Sequence, residues 1–208
     1  MKVAYIGFGV LGYQMKSFID AIHQPQKSIY FDDLLYQNGN ADAHPFARFS
    51  EKEFSDFSFY VCLGYRHLPL KKQIVQQMLN MGRKLPSFVH PTVYVSPSST
   101  IEPACFLYPG SNIDMEVTIH KGSLINNSVV ISHNCKIGEA AYLSPGIVIS
   151  GNVSLGDCCF LGSGSIVSNN LEIGDGCTIG IGSVITRSLP PKTHGIGNPF
   201  HIFDIHLK

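Results

Sequence analysis

The sequence predicts a chain in two parts, an α/β region over residues 1–85 and an all-β solenoid over residues 86–208. Two observations carry this reading. A glycine-rich turn stands between an apolar strand and a helical pattern near the start, and an aliphatic residue recurs at every sixth position through the second part. Twenty glycines and twelve prolines in 208 residues suit a turn-rich chain better than a helical bundle. At 44% hydrophobic and 14% charged, the chain carries enough apolar surface to fold.

Lys2 to Ile6 read as a buried strand, followed by Gly7-Phe8-Gly9-Val10-Leu11-Gly12 and a helix to about Ile22, with Phe18, Ile19 and Ile22 on one side. A second strand, Ser28 to Phe31, ends in Asp32-Asp33, twenty residues after Gly12. Glycines and acid together match the dinucleotide fingerprint. A third strand, Phe57 to Leu63, ends at Gly64, and a helix follows over about Pro69 to Met81. Three or four strands make only half of a doubly wound dinucleotide fold. The motif therefore points to a phosphate-bearing nucleoside at the strand ends, by way of Gly7, Gly9, Leu11, Asp32 and Asp33, without specifying a nicotinamide. A tight turn of purely structural purpose is the competing reading. The turn Gly64-Tyr65-Arg66-His67 adds a guanidinium, that of Arg66, able to hold a phosphate through a fork of donors, with an idle solvent-facing arginine as the alternative.

The solenoid begins with Val89 and Val95 and continues from Ile101 in steps of six to Ile185, every position a branched aliphatic. Fifteen in succession would arise by chance about once in a billion trials if one position in four were aliphatic. Four residues after each comes a small or apolar position, read from Cys105 through Ser183 and holding four of the six cysteines. Both positions are expected to point inward and to stack on their equivalents in the next coil, because no single repeat can bury its own apolar face. Glycines directly after the aliphatic, as at Gly138, Gly156, Gly162, Gly174 and Gly180, are expected to relieve the turns of Cβ restriction.

This pattern resembles the hexapeptide-repeat proteins, which implies a left-handed parallel β-helix of 18-residue coils and a fold class of α/β half-Rossmann domain plus all-β β-helix. The combination is similar to the acyltransferases that acetylate nucleotide-linked amino sugars and to the related sialic acid O-acetyltransferases. The segment Asn126-Asn127-Ser128-Val129-Val130-Ile131-Ser132-His133-Asn134-Cys135 carries the resemblance, an asparagine seven residues before a histidine. The resemblance implies that His133 is the general base, with Asn126 at the family's active-site asparagine and Asn134 where relatives commonly have an acid. It also implies coenzyme A contacts at Tyr142, Gly151, Ser163, Gly164, Ile181, Gly182 and Pro199, acetyl-CoA as acyl donor, and a homotrimer. The residue chemistry agrees. Ile131 and Cys135 are the inward positions of their repeat, so His133 projects outward, and imidazole is suited to taking a proton near neutral pH. A backbone N–H, that of Gly151, is the candidate oxyanion donor.

Fifteen basic and fifteen acidic side chains cancel, which argues against a nucleic-acid partner. No secretory signal and no spanning segment is read in the chain, so a cytoplasmic protein without membrane insertion is expected. The six cysteines form no CxxC pair and read as small buried residues, with no metal expected. Competing functions are sugar O-acetylation, an NAD oxidoreductase, a metal-dependent β-helix hydratase and a non-catalytic platform. The hydratase needs three convergent histidines, where the regular coils hold only His120 and His133.

Overall fold

The computed structural model describes residues 1–203, and these divide into two compact units, Met1–Pro86 and one from Ser87 onward. In the first unit, β1 (Lys2–Ile6), β2 (Lys27–Phe31), β3 (Ala43–His44) and β4 (Ser58–Val61) form a parallel sheet in the order β3-β2-β1-β4. Its centre is a row of tyrosines: Tyr5 pairs in register with Tyr30 and Tyr60, with ring centroids 5.9 and 6.1 Å away. The helix α1 (Val10–His23) buries Gly12, Met15 and Ile19. That stripe is rotated from the expected one, and Ile22 is 37% exposed. Gly12 sets the rotation, since a Cβ there would lie 2.9 Å from the Phe8 ring, so the helix approaches the loop on its glycine side. The short helix α2 (Asp33–Gln37) follows β2, and α3 (Leu68–Asn80) follows β4. The sequence pattern did not reveal β3, which at two residues is too short to show alternation.

The second unit is a parallel β-helix of about six turns. Two-residue strands pair with their equivalents 18 residues on, as Thr118 with Lys136 and Ile119 with Ile137. They stack into three sheets of five, eight and six strands. Ile113, Ile119, Ile125, Ile131, Ile137, Leu143, Ile149, Leu161, Val167, Ile179 and Ile185 are fully buried in one continuous core. The small inward positions do more than fill space. Ser123 Oγ donates to the Gly138 carbonyl at 2.7 Å and accepts the Ala141 N–H at 3.1 Å, and Cys135 Sγ donates to the Ser150 carbonyl at 3.1 Å. Hydroxyl or thiol there satisfies carbonyls that the corner turns leave inside. Cys158 is the cysteine that is only half-buried, because it occupies a corner rather than an inward position.

The corners correct one expectation. The left-handed residue is the third after the aliphatic, at Ala104, Gly110, Glu116, Gly122, Ser128, Asn134, Ala140, Gly146, Asn152, Cys158, Gly164, Asn170, Gly176 and Gly182. The glycines directly after the aliphatic are absent from that set and serve close approach instead. A Cβ on Gly138 would lie 2.4 Å from the Gly156 carbonyl carbon, and one on Gly162 2.6 Å from the Ile181 nitrogen. At the far end Phe200 packs on the core, and the strand His201–Ile202 turns back antiparallel on His194–Ile196.

The outward positions give two of the sheets opposite chemistry. The five-stranded sheet presents Thr100, Thr118, Lys136, Ser154 and Glu172. The six-stranded sheet presents Tyr94, Asn112, Val130, Val148, Ile166 and Val184, of which Tyr94, Asn112, Val130 and Ile166 are exposed.

Candidate active site

The predicted residues divide between the two units, gathered mostly around one cavity in the first and spread over several places in the second. In the first unit, a cavity of about 590 Å³ opens at the carboxyl ends of β1 and β4. Gly7, Gly9, Leu11, Asp32, Gly64, Tyr65 and Arg66 line it together with His67 of the same turn, and so do Phe8, Val10, Cys62 and Leu63, which were not among the candidate binding residues. The three loop glycines have different reasons. Gly7 has φ +76° and a Cβ there would meet Leu63 at 2.7 Å, so the turn itself requires it. Gly9 has ordinary φ and open space where a Cβ would stand, and Gly64 is the same. Folding demands neither of these two glycines, and both face the cavity.

α1 and α3 both begin at this cavity, with Gly9 and His67 as N-caps and no side-chain cap or acid in the first turn. Their N–H groups and positive dipole ends favour an anion there. Asp32 is partly committed to the fold: Oδ2 accepts the Phe8 N–H at 2.8 Å, and Oδ1 accepts the Leu34 and Leu35 N–H groups at 3.1 Å, capping α2. Asp33 does not line the cavity, and its carboxylate accepts the Phe46 N–H at 2.8 Å. Burial pushes the Cys62 thiol up to about 12, against a smaller opposing effect of Lys71, which favours the neutral thiol in the cavity wall. Arg66 sits 5.9 Å from the Tyr65 ring centroid, a cation–π contact that leaves the guanidinium edges free for other partners.

In the second unit all of the predicted residues but Tyr142 and Pro199 occupy two rows of corners, on either edge of the six-stranded sheet. Asn126, Ser163, Gly164, Ile181 and Gly182 stand where the eight-stranded sheet passes into the six-stranded one. His133, Asn134 and Gly151 stand where the six-stranded sheet passes into the five-stranded one. Asn126 is buried, and its Oδ1 accepts the Asn127 N–H at 2.8 Å. His133 is exposed, with Nδ1 2.9 Å from Asn134 Oδ1. A carboxamide oxygen only accepts, so Nδ1 carries the proton and Nε2 is the free acceptor. The ring lies over Gly151, where a Cβ would fall 2.6 Å from Nε2. The Gly151 N–H, the expected oxyanion donor, is not idle: it donates to Asn169 Oδ1 at 2.9 Å. Asn169 was missed by the sequence reading, although the 18-residue register 133, 151, 169 identifies it.

Tyr142 lies on a different face, in the eight-stranded sheet, its ring 5.8 Å from that of Phe160. Pro199 lies in the terminal turn, after a cis peptide bond with Asn198. His120 stands at the opposite edge of the five-stranded sheet from His133, paired with Glu102 at 3.1 Å. Among the described residues, no group of three or more histidines, cysteines or carboxylates could hold a metal. A second cavity of about 500 Å³, at Glu172, Asp175, Ser188 and Pro190, takes in none of the predicted residues.

The likeness to solved structures extends over both units. PerB from Caulobacter crescentus, solved with CoA and GDP-perosamine, is 25% identical, with a TM-score of 0.88 over 98% of each chain. The architecture is that of a sugar acetyltransferase. The acetyltransferase domain of PglB from Neisseria gonorrhoeae superposes on the same architecture at 24% identity and a TM-score of 0.83, covering 97% of this chain and 99% of that one. WeeI from Acinetobacter baumannii does so at 19% and 0.83, covering 98% and 100%. Residues 85–186 match the GMPPB C-terminal domain family, which falls on the β-helix of this acetyltransferase architecture. No curated protein matches the sequence.

Proposed function

We propose that this chain is an acetyl-CoA-dependent N-acetyltransferase acting on the amino group of a nucleotide-linked 4-amino-4,6-dideoxy sugar. The observation that carries it is the His133 corner: an exposed imidazole, fixed through Nδ1 by Asn134 and seated over Gly151, on an architecture shared with sugar acetyltransferases. The cavity with two glycines that folding does not require, and with two open helix N-termini, supports a diphosphate-bearing acceptor.

In the proposed reaction His133 Nε2 takes a proton from the sugar ammonium, and the freed amine attacks the thioester carbonyl. A C–N bond forms, the carbonyl oxygen gains charge, and collapse of the tetrahedral intermediate breaks the C–S bond. The departing sulfur receives the second proton from the attacking nitrogen, giving coenzyme A and the neutral amide, and His133 passes the first proton to solvent. Substrate and acyl donor both supply groups that this chain's residues only orient and deprotonate; no acyl-cysteine is formed.

The aliphatic stripe Val130, Val148, Ile166 and Val184, with Val130 and Ile166 exposed and the other two half-buried, supports assembly of β-helices side by side, and the proposed state is a homotrimer. Six free cysteines, five of them buried, fit a reducing cytoplasm. Among the described residues, no helix is long and apolar enough to cross a membrane.

The test is incubation with acetyl-CoA and a panel of UDP-, dTDP- and GDP-linked amino sugars together with sialic acid, with the products read by mass spectrometry. Acetylation of an amino sugar at nitrogen supports the proposal. Acetylation of sialic acid alone moves the assignment to O-acetyl transfer, and no product at all removes it.

A further inference from the structure

The donor expected to hold the thioester oxygen is occupied within the chain. Gly151 is gripped from the next coil at both ends of its backbone: its carbonyl accepts the Asn170 N–H at 3.0 Å, and its own N–H donates to Asn169 Oδ1 at 2.9 Å. The two contacts differ in kind. The first belongs to the corner ladder that repeats through the solenoid, as in Asn152 N–H to the His133 carbonyl at 3.0 Å, and it is shared by every neighbouring coil. It fixes the direction of the Gly151 peptide without help from Asn169. The second is a side-chain contact from an exposed residue.

Some corner amides are capped by a carboxylate one coil on, as Glu139 N–H by Asp157 at 2.6 Å and Asp157 N–H by Asp175 at 2.8 Å, and others by a hydroxyl, as Gly110 N–H by Thr92 at 3.1 Å. At the His133 corner the cap is a carboxamide, an uncharged sp² oxygen of the same type as a thioester carbonyl. A carboxylate would hold the amide more tightly and would repel an oxyanion. The carboxamide holds it weakly and can be exchanged for another carbonyl.

We infer that Asn169 is a positioning residue whose side-chain oxygen occupies the Gly151 N–H in the empty enzyme and is displaced by the acetyl carbonyl of the bound thioester. This deepens the acyl-transfer reading of the His133 corner and rests on it. Asn169 then tunes the discrimination between acetyl-CoA and free coenzyme A, since only the thioester brings the oxygen that competes for the N–H. Product coenzyme A leaves the donor to Asn169 again, which keeps the amide satisfied between turnovers.

The experiment is calorimetric binding of acetyl-CoA and of coenzyme A, each alone, to wild type, Asn169→Ala and Asn169→Asp. Removing the competitor is expected to tighten acetyl-CoA about three- to tenfold, the scale of one neutral hydrogen bond, and to leave coenzyme A unchanged. Asn169→Asp is expected to weaken acetyl-CoA by a similar or larger factor, again without moving coenzyme A. A purely structural cap would shift both ligands together or neither, and either pattern overturns the inference, as does weaker acetyl-CoA binding in Asn169→Ala. Wild type that binds neither ligand overturns the acyl-transfer reading itself, and the exchange with it.

Discussion

The His133 ring occupies the space that a side chain on residue 151 would need: a Cβ there would stand 2.5 Å from Cε1 and 2.6 Å from Nε2. The glycine is therefore the seat of the base. Gly151→Ala must push the imidazole off its present rotamer while leaving the aliphatic core untouched. The expected result is a loss of about a hundredfold or more in kcat/KM, with the melting temperature lowered by only a few degrees, because a misplaced base costs rate far more than fold. Steady-state kinetics and a thermal melt on the same preparation check both halves.

Asn134 is the second support of the base, and it sits at φ +60°, where asparagine and aspartate are tolerated better than most residues. Asn134→Asp keeps that backbone and puts a charge beside Nδ1, which favours the imidazolium. The acid limb of the kcat/KM profile is expected to move to higher pH, since the base must be neutral to act. Asn134→Ala is expected to lower kcat about tenfold without that displacement.

Gly9 and Gly64 provide a test of the cavity that does not disturb the fold. Each has room for a methyl group, so alanine at either position should leave the melting temperature within about a degree. The added methyl projects into the space proposed for the diphosphate. The expected outcome is a KM for the nucleotide sugar raised tenfold or more, with the KM for acetyl-CoA unchanged. Gly7→Ala, by contrast, strains a left-handed turn and meets Leu63, and is expected to destabilise the first unit.

Ser123 is fully buried, and its hydroxyl serves the Gly138 carbonyl and the Ala141 N–H together. Ser123→Ala leaves both groups unpaired inside the solenoid and is expected to cost about 1–3 kcal/mol in chemical denaturation. Ser123→Cys should cost less, since the chain itself places Cys105, Cys159 and Cys177 at the equivalent position of other coils.

His44 packs against the Phe31 and Phe54 rings, 5.6 and 4.9 Å between centroids. Burial, and then the nearby Arg48 charge, hold its imidazole below the ordinary histidine range. The unfolded chain thus binds the proton more readily than the folded one. Stability from this site is complete above about pH 6.5 and falls as the pH drops toward the lowered folded value. His44→Phe is expected to flatten the melting temperature of the first unit across that interval.

The solenoid was legible because two inward positions in every six must be apolar or small, a constraint strict enough to show in a single chain. The corner geometry was not. Its left-handed position accepts Ala, Glu, Ser, Asn, Cys or Gly, so composition carries no trace of it, and the eye falls instead on glycines that answer to coil spacing. The register also explains Asn169. One polar residue in an exposed turn is unremarkable by itself and becomes significant only when 133, 151 and 169 are seen to share one corner. In the first unit, Asp32 was found as an acid at the end of β2, but its role in tying Phe8 and capping α2 depends on where the loop folds back, which spacing does not reveal.

The most direct test of the account is the rate of coenzyme A release from acetyl-CoA with a nucleotide-linked amino sugar, measured for wild type and for His133→Ala at saturating concentrations of both. The account predicts turnover that falls by a factor of about a hundred or more in the variant, while binding of both ligands persists. Equal turnover in the two proteins would contradict His133 as the base.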